Sequence, residues 1–149
     1  MKKQAILVSA CLLGVCCRYD GESKPCKAVT ALREKFALIP ICPEVDGGLP
    51  TPRTPSERVG DRVLMRDGRD VTDNYVAGAK SALERARMFD CKAAILKARS
   101  PSCGSGKIYD GSFSGQLTDR DGVCAELLKK SNIDVYTEEE ISEFIKKYT

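Results

Sequence analysis

Short, nearly unbroken apolar runs alternate along this chain with stretches whose apolar residues recur every three or four positions. Residues 5–10 form the first run, residues 36–41 the second, residues 92–97 the third, and Ile133–Tyr136 a short fourth. A run without polar alternation is expected of a strand buried on both faces, as in a parallel sheet. The intervening stretches predict helices. One covers residues 24–35, with Pro25 in its first turn and Ala28, Val29 and Leu32 on one face. Another covers residues 73–88, capped by Thr72, with Tyr75, Val76, Ala79, Ala82, Leu83 and Ala86 at helical spacing. A third lies near residues 121–131. The last helix opens on Thr137-x-x-Glu140, a capping box, with Lys146 and Lys147 near its far end to suit the helix dipole. Residues 43–71, rich in proline and glycine, read as loop with a small hairpin around Arg62–Val71. Residues 100–118, rich in glycine and serine, read as a long functional loop.

This βαβαβαβα order predicts a single α/β domain over residues 1–149, three-layered and Rossmann-like. A mostly parallel sheet of four to five strands would carry helices on both faces, joined by right-handed crossovers. The expected strand order is 2-1-3-4, which puts a topological switch point between the first and third strands. Ligands of such sheets bind in the crevice at the carboxyl ends of the strands.

Charge and length remove some classes of function. A net charge of +3, without a basic block, gives no footprint for nucleic acid. No apolar run approaches the roughly 20 residues that a membrane helix needs. The amino end lacks a small-residue cleavage site after its apolar run, so the reading is a cytoplasmic protein. Nothing in the pattern sets an oligomeric state.

Cysteine changes the picture most. The chain holds eight cysteines and no histidine. In a reducing compartment, eight thiols in an α/β pattern point to metal ligation, catalysis or buried packing rather than a disulfide framework. The absence of histidine rules out a Ser-His-Asp or Cys-His nucleophile within this chain. It also leaves thiolates and carboxylates as metal ligands. Cys11, Cys42 and Cys103 each fall just past a predicted strand, in three different α/β units. The switch-point crevice would gather them, and three converging thiolates suit a metal or iron–sulfur site with one position open. Buried packing is the alternative for each alone. Cys91 and Cys124 are assigned to packing. Cys16 and Cys17, close to Cys11, leave open a fourth ligand.

Further groups share that edge. Glu44 follows Cys42 by two residues and is the leading general-base candidate in a chain without histidine. Ser100 and Ser102 flank Pro101 just before Cys103, either as turn formers or as hydroxyls that meet substrate and carry a proton. Arg53, behind Gly47-Gly48-Leu49-Pro50-Thr51-Pro52, can bind an anionic or carbonyl group or form a plain salt bridge. The Arg18-Tyr19-Asp20-Gly21 turn is expected to close the site from the first strand's side. Gly104-Ser105-Gly106-Lys107 lacks full phosphate-loop spacing and reads as a flexible turn with free backbone N–H groups.

The motifs form a set. Ser9-x-Cys11-Leu12-Leu13-Gly14, Arg18-Tyr19-Asp20-Gly21, Cys42-Pro43-Glu44, Gly48-Leu49-Pro50-x-Pro52-Arg53, Ser100-Pro101-Ser102-Cys103-Gly104 and Gly122-Val123 together resemble the thiouracil desulfidase family. The resemblance spans nearly the whole chain, in order. It implies a [4Fe–4S] cluster held by Cys11, Cys42 and Cys103, with the fourth iron free of protein ligands. It implies Glu44 and Ser100 as catalytic residues. Ser102, Arg53 and Tyr19 are the expected contacts to a small thiolated nucleobase such as 2-thiouracil. The implied reaction is hydrolytic C–S cleavage, without net electron transfer, to the oxo product and sulfide. An open iron is exposed to oxygen, so aerobic preparations are expected to lose the cluster. Two other classes remain at this stage: a non-enzymatic Cys₃ metal- or sulfur-binding module, and a thiol redox protein forming disulfides among Cys11, Cys16 and Cys17.

Overall fold

The computed structural model describes residues 2–149. The apolar runs pair as parallel strands of one sheet. β1 (Gln4–Ser9) leads through a 3₁₀ turn at Ala10–Leu13 and a loop to α1 (Lys27–Thr30), which continues as a second 3₁₀ turn. β2 (Phe36–Ile41) is followed at once by the short α2 (Pro43–Asp46). A hairpin of β3 (Ser56–Val59) and β4 (Arg62–Met65) precedes the long α3 (Thr72–Met88) and β5 (Ala93–Leu96). A second hairpin, β6 (Lys107–Tyr109) with β7 (Leu117–Asp119), is followed by α4 (Val123–Lys130), β8 (Asp134–Thr137) and α5 (Ile141–Tyr148).

The four-stranded sheet has the order β2-β1-β5-β8, with every pairing parallel. Counting its strands in chain order, this is the expected 2-1-3-4, with the switch between β1 and β5. Adjacent residues of one strand serve opposite layers. Leu7, Ala94 and Leu96 pack on Ala79, Ala82, Leu83 and Ala86 of α3 and on Cys124 and Leu128 of α4. Ile6, Val8, Ala93 and Ile95 pack on Val29 of α1 and Phe144 of α5. Both faces are covered, which explains the lack of polar alternation in these strands. No described helix is long and apolar enough to cross a membrane.

Three local expectations change. Residues 24–26 are not helical. Lys24 and Cys26 donate their backbone N–H groups to the carbonyls of Cys11 and Leu12, at 2.9 Å each. This holds Pro25 in extended chain, and the helix starts at Lys27. Thr72 is the first residue of α3 rather than its cap. Its hydroxyl donates to Asp70 and accepts from the Val63 N–H, tying the helix start to β4. The loop of residues 100–118 contains the β6–β7 hairpin. The Thr137/Glu140 capping box forms as expected.

One close approach fixes the sheet edge. A Cβ on Gly78 would lie 1.7 Å from the Pro43 carbonyl oxygen, and one on Gly47 would lie 2.0 Å from the Asn74 carbonyl oxygen. The first turns of α3 therefore rest directly on the backbone of the Cys42-Pro43-Glu44 turn. Elsewhere in a helix, Gly→Ala is favourable by about 1 kcal/mol. For Gly78→Ala the clash is expected to dominate, with a net loss of about 2–3 kcal/mol in urea unfolding. A stabilised variant would show that α3 can lift away from this turn.

Two packed thiols give a pH signature. Burial pushes Cys91 up to about 11 and Cys124 well above its ordinary value. The native state keeps both protonated, whereas the unfolded chain ionises them near 9.0. Their contribution to stability is full below that value and is lost as pH rises toward the native values. The urea midpoint is expected to fall between pH ~8 and ~10.5, and to fall less in Cys91→Ala.

Candidate active site

Strand ends and the turns that follow them build one crevice of about 600 Å³ at the carboxyl edge of the sheet. Cys11 enters from the 3₁₀ turn after β1, Cys42 from the junction of β2 and α2, and Cys103 from the turn after β5. All three line the crevice. Ser9, the last residue of β1, stitches the switch point together: its oxygen accepts the Lys97 N–H at 2.9 Å. Burial raises the Cys103 thiol to about 12.

Glu44 sits in the first turn of α2, at the floor of the crevice, and both its oxygens are engaged. Oε1 accepts from Arg53 Nε at 3.0 Å, and Oε2 accepts from the Ser102 hydroxyl at 2.9 Å. The hydrogen bonds then run in one direction. Ser102 spends its hydrogen on Glu44, so the Ser100 hydroxyl, 2.9 Å away, donates to Ser102. Ser100 Oγ in turn accepts from the backbone N–H groups of Ser102 and Cys103, at 3.2 and 3.1 Å. The Ser-Pro-Ser-Cys turn is thus an ordered line of hydroxyls that ends on a carboxylate.

Arg53 is held within the protein. Beyond Glu44, it donates to the carbonyls of Pro50 and Cys17 and to the Thr51 hydroxyl, and only 4% of its side chain is exposed. Of the two roles read from sequence, the structure displays the salt bridge. Tyr19 stands half-exposed at the rim with the Arg18 guanidinium 5.6 Å from its ring centre. The Arg18–Gly21 turn does border the crevice from the β1 side. Within Gly104–Lys107 the two glycine N–H groups are engaged, so the expected row of free N–H groups does not form there. Gly104 N–H bonds to the Ser100 carbonyl, Gly106 N–H to Asp121, and Lys107 pairs with Asp119.

The structure adds residues that the sequence reading did not single out for this site. Tyr75, placed by periodicity on the core face of α3, lines the crevice together with Glu44 and Ser56. Burial and the Glu44 charge hold its phenol far above the ordinary value. Arg66, Phe113 and Tyr109, from the two hairpins, also line the crevice, with the Arg66 guanidinium over the Phe113 ring. The β6–β7 loop is held there by Glu57, which accepts from the N–H groups of Gly111 and Phe113. The cysteines near Cys11 separate as well. Cys16 is exposed, whereas Cys17 is buried and lines the crevice.

Fold and crevice together define a doubly wound α/β protein with a thiol-lined, carboxylate-bearing site at its switch point. The chain belongs to the 2-thiouracil desulfurase family, whose model matches residues 6–140. It is 39% identical over 150 residues to the uncharacterised protein YbbK of Bacillus subtilis (strain 168), covering 94% of this chain and 99% of that one. Among solved structures it is similar to the [4Fe-4S]-dependent thiouracil desulfidase TudS, with a TM-score of 0.89 and 43% identity over 96% of this chain and 95% of that one.

The Arg53 fork is expected to be irreplaceable. Arg53→Lys keeps the charge but offers a point donor where the guanidinium reaches three segments of chain at once. It should lower stability by about 2–3 kcal/mol and speed amide exchange across residues 14–26. Unchanged exchange there would show that Arg53 does not hold this loop.

Proposed function

We propose that this protein is a [4Fe–4S]-dependent desulfidase that hydrolyses the C–S bond of a thiolated pyrimidine such as 2-thiouracil, giving the oxo base and sulfide. The observation that carries this reading is the meeting, in one crevice, of three strand-end thiols with the Ser100–Ser102–Glu44 line. The donor set suits the cofactor. Thiolates are the ligands that iron–sulfur clusters take, and none of these strand ends carries a histidine. No group of three Cys, Asp or Glu side chains among the described residues closes around a point as a single metal ion requires. Cys11, Cys42 and Cys103 would hold the cluster.

When bound there, the cluster supplies a Lewis-acidic iron for the thiocarbonyl sulfur, which makes the attached carbon electrophilic. Glu44 takes a proton from water as the water oxygen attacks that carbon. Arg53 and Ser102 hold the carboxylate against rotation, so its remaining lone pairs face the crevice. Ser100, at the start of the hydroxyl line, supplies a proton to a ring nitrogen or to the departing sulfur and is recharged through Ser102. The planar base would lie against Tyr19 and Phe113 at the mouth, with solvent excluded by the two hairpins. Water adds and hydrosulfide leaves, so the reaction consumes no reductant.

Reconstituted anaerobically, the protein is expected to be brown, with a broad absorbance near ~400 nm. It should release sulfide from at least one of a panel of thiopyrimidines, and the iron-free chain should not. Glu44→Gln should keep its iron and lose sulfide release by about 10²–10⁴-fold. Near-full activity in that variant would remove Glu44 as the base. Cys11→Ser, Cys42→Ser and Cys103→Ser should each lose iron. Cys91→Ser and Cys124→Ser should keep it, at a packing cost of about 1–3 kcal/mol.

A further inference from the structure

Gly122 opens α4 without a reason in its own backbone. Its φ of −66° and ψ of 163° suit any residue, and serine, threonine, aspartate or asparagine is the usual choice at a helix amino cap. No side chain caps this helix. What requires glycine is proximity. A Cβ here would lie 2.6 Å from both the carbonyl carbon and the carbonyl oxygen of Ser102, and 2.8 Å from the carbonyl oxygen of Ser100. These are backbone atoms, which cannot swing aside as the end of a flexible side chain does.

With no side chain in the way, the first turn of α4 closes on the Ser-Pro-Ser-Cys turn. The N–H of Val123 donates to the Pro101 carbonyl at 2.9 Å, and those of Cys124 and Ala125 donate to the Ser102 carbonyl at 2.8 and 3.2 Å. N–H groups that a helix leaves unpaired at its start are here met by the turn itself, in place of a cap. The Gly122 N–H adds a bond to the Gly104 carbonyl at 2.7 Å, and the Gly104 N–H returns to the Ser100 carbonyl at 2.8 Å. The carbonyls of Ser100, Pro101 and Ser102 are therefore all engaged by this clasp, while the two serine hydroxyls run toward Glu44. Neither Gly122 nor Val123 lines the crevice.

We propose that Gly122 is a positioning residue for the reaction: its missing side chain seats α4 against residues 100–103 and so sets the Ser100–Ser102–Glu44 line. The proposal rests on the roles given above to Ser100 and Glu44. It gives the Gly122-Val123 motif a purpose at a site that the pair does not touch.

The test compares Gly122→Ala with Val123→Pro. The alanine must open the contact by roughly 1 Å to reach ordinary van der Waals distance, and a shift of about that size in a reacting group lowers turnover by about 10²-fold. Proline suits the first position of a helix and the extended residue before it, so Val123→Pro keeps the helix and removes one donor to the turn. Leu127→Ala, on the same helix but packed toward the core, controls for lost stability. Sulfide release is measured per iron-loaded chain. Amide exchange at Ser102 and Cys103, whose N–H groups donate to Ser100 Oγ, is measured in the iron-free chain. In Gly122→Ala both amides are expected to exchange faster and kcat to fall by about 10²-fold, with KM within about twofold of wild type. Val123→Pro should move both readouts the same way by less, and Leu127→Ala should move neither. Wild-type exchange and turnover in both Gly122→Ala and Val123→Pro would overturn the proposal. So would a change confined to KM, or an equal loss of kcat in Leu127→Ala. If Gly122→Ala does not fold, Val123→Pro decides by the same readouts. A wild-type chain that releases no sulfide from any thiopyrimidine overturns the proposed function, and exchange at Ser102 and Cys103 still decides whether Gly122 sets the turn.

Discussion

A single buried guanidinium holds this site together. Arg53 joins the Glu44 turn, the Pro50–Thr51 segment and the loop that carries Cys17. Its own backbone N–H adds a bond to the Tyr19 carbonyl. Burying a charge this deeply is unfavourable unless its donors are met. The acceptors around it come from segments far apart in sequence, so the charge is satisfied only when all of them have arrived. Glu44 benefits in turn, because Arg53 and Ser102 grip it from two sides and fix its orientation without sealing it from the crevice. Its side chain remains 15% exposed.

The fold was legible for a simple reason. Strands buried on both faces carry unbroken apolar runs, and four such runs separated by helical spacing leave few topologies open. Even the strand order followed from them. What stayed hidden depends on contacts between distant segments. β6 and β7 are three residues each, and β7 is exposed along its length, so neither has a hydrophobic period to read. The loop between them is held in place by Glu57, more than fifty residues away. Residues 24–26 looked helical because Pro25 suits a first turn, yet the carbonyls of Cys11 and Leu12 claimed the N–H groups that a helix would have used.

The site was legible in its chemistry and less so in its wiring. Position past a strand end was enough to place Cys11, Cys42, Cys103, Glu44, Ser100 and Ser102 at one edge. Sequence could not order the hydroxyls into a line, because direction depends on which hydrogen is spent where. It could not separate Cys16 from Cys17 either. The two are neighbours in chain, and only the turn at Val15 sends one to solvent and the other inward. Tyr75 was hidden differently: a tyrosine on the apolar face of a helix looks like core until the crevice is seen to open against it.

The contact of Gly78 with Pro43 bears on how this scaffold can diversify. It welds the turn bearing Cys42 and Glu44 to the longest helix, so these two residues cannot drift without disturbing the core. The mouth is tied differently, hairpin to hairpin, through Glu57 and the N–H groups of Gly111 and Phe113. Arg66, Tyr109 and Phe113 hang from hairpins and loops outside the main sheet. Lengthening or recolouring those hairpins would alter which molecules enter while leaving the reaction chemistry intact. The scaffold is thus open to change at its doorway and constrained at its hearth.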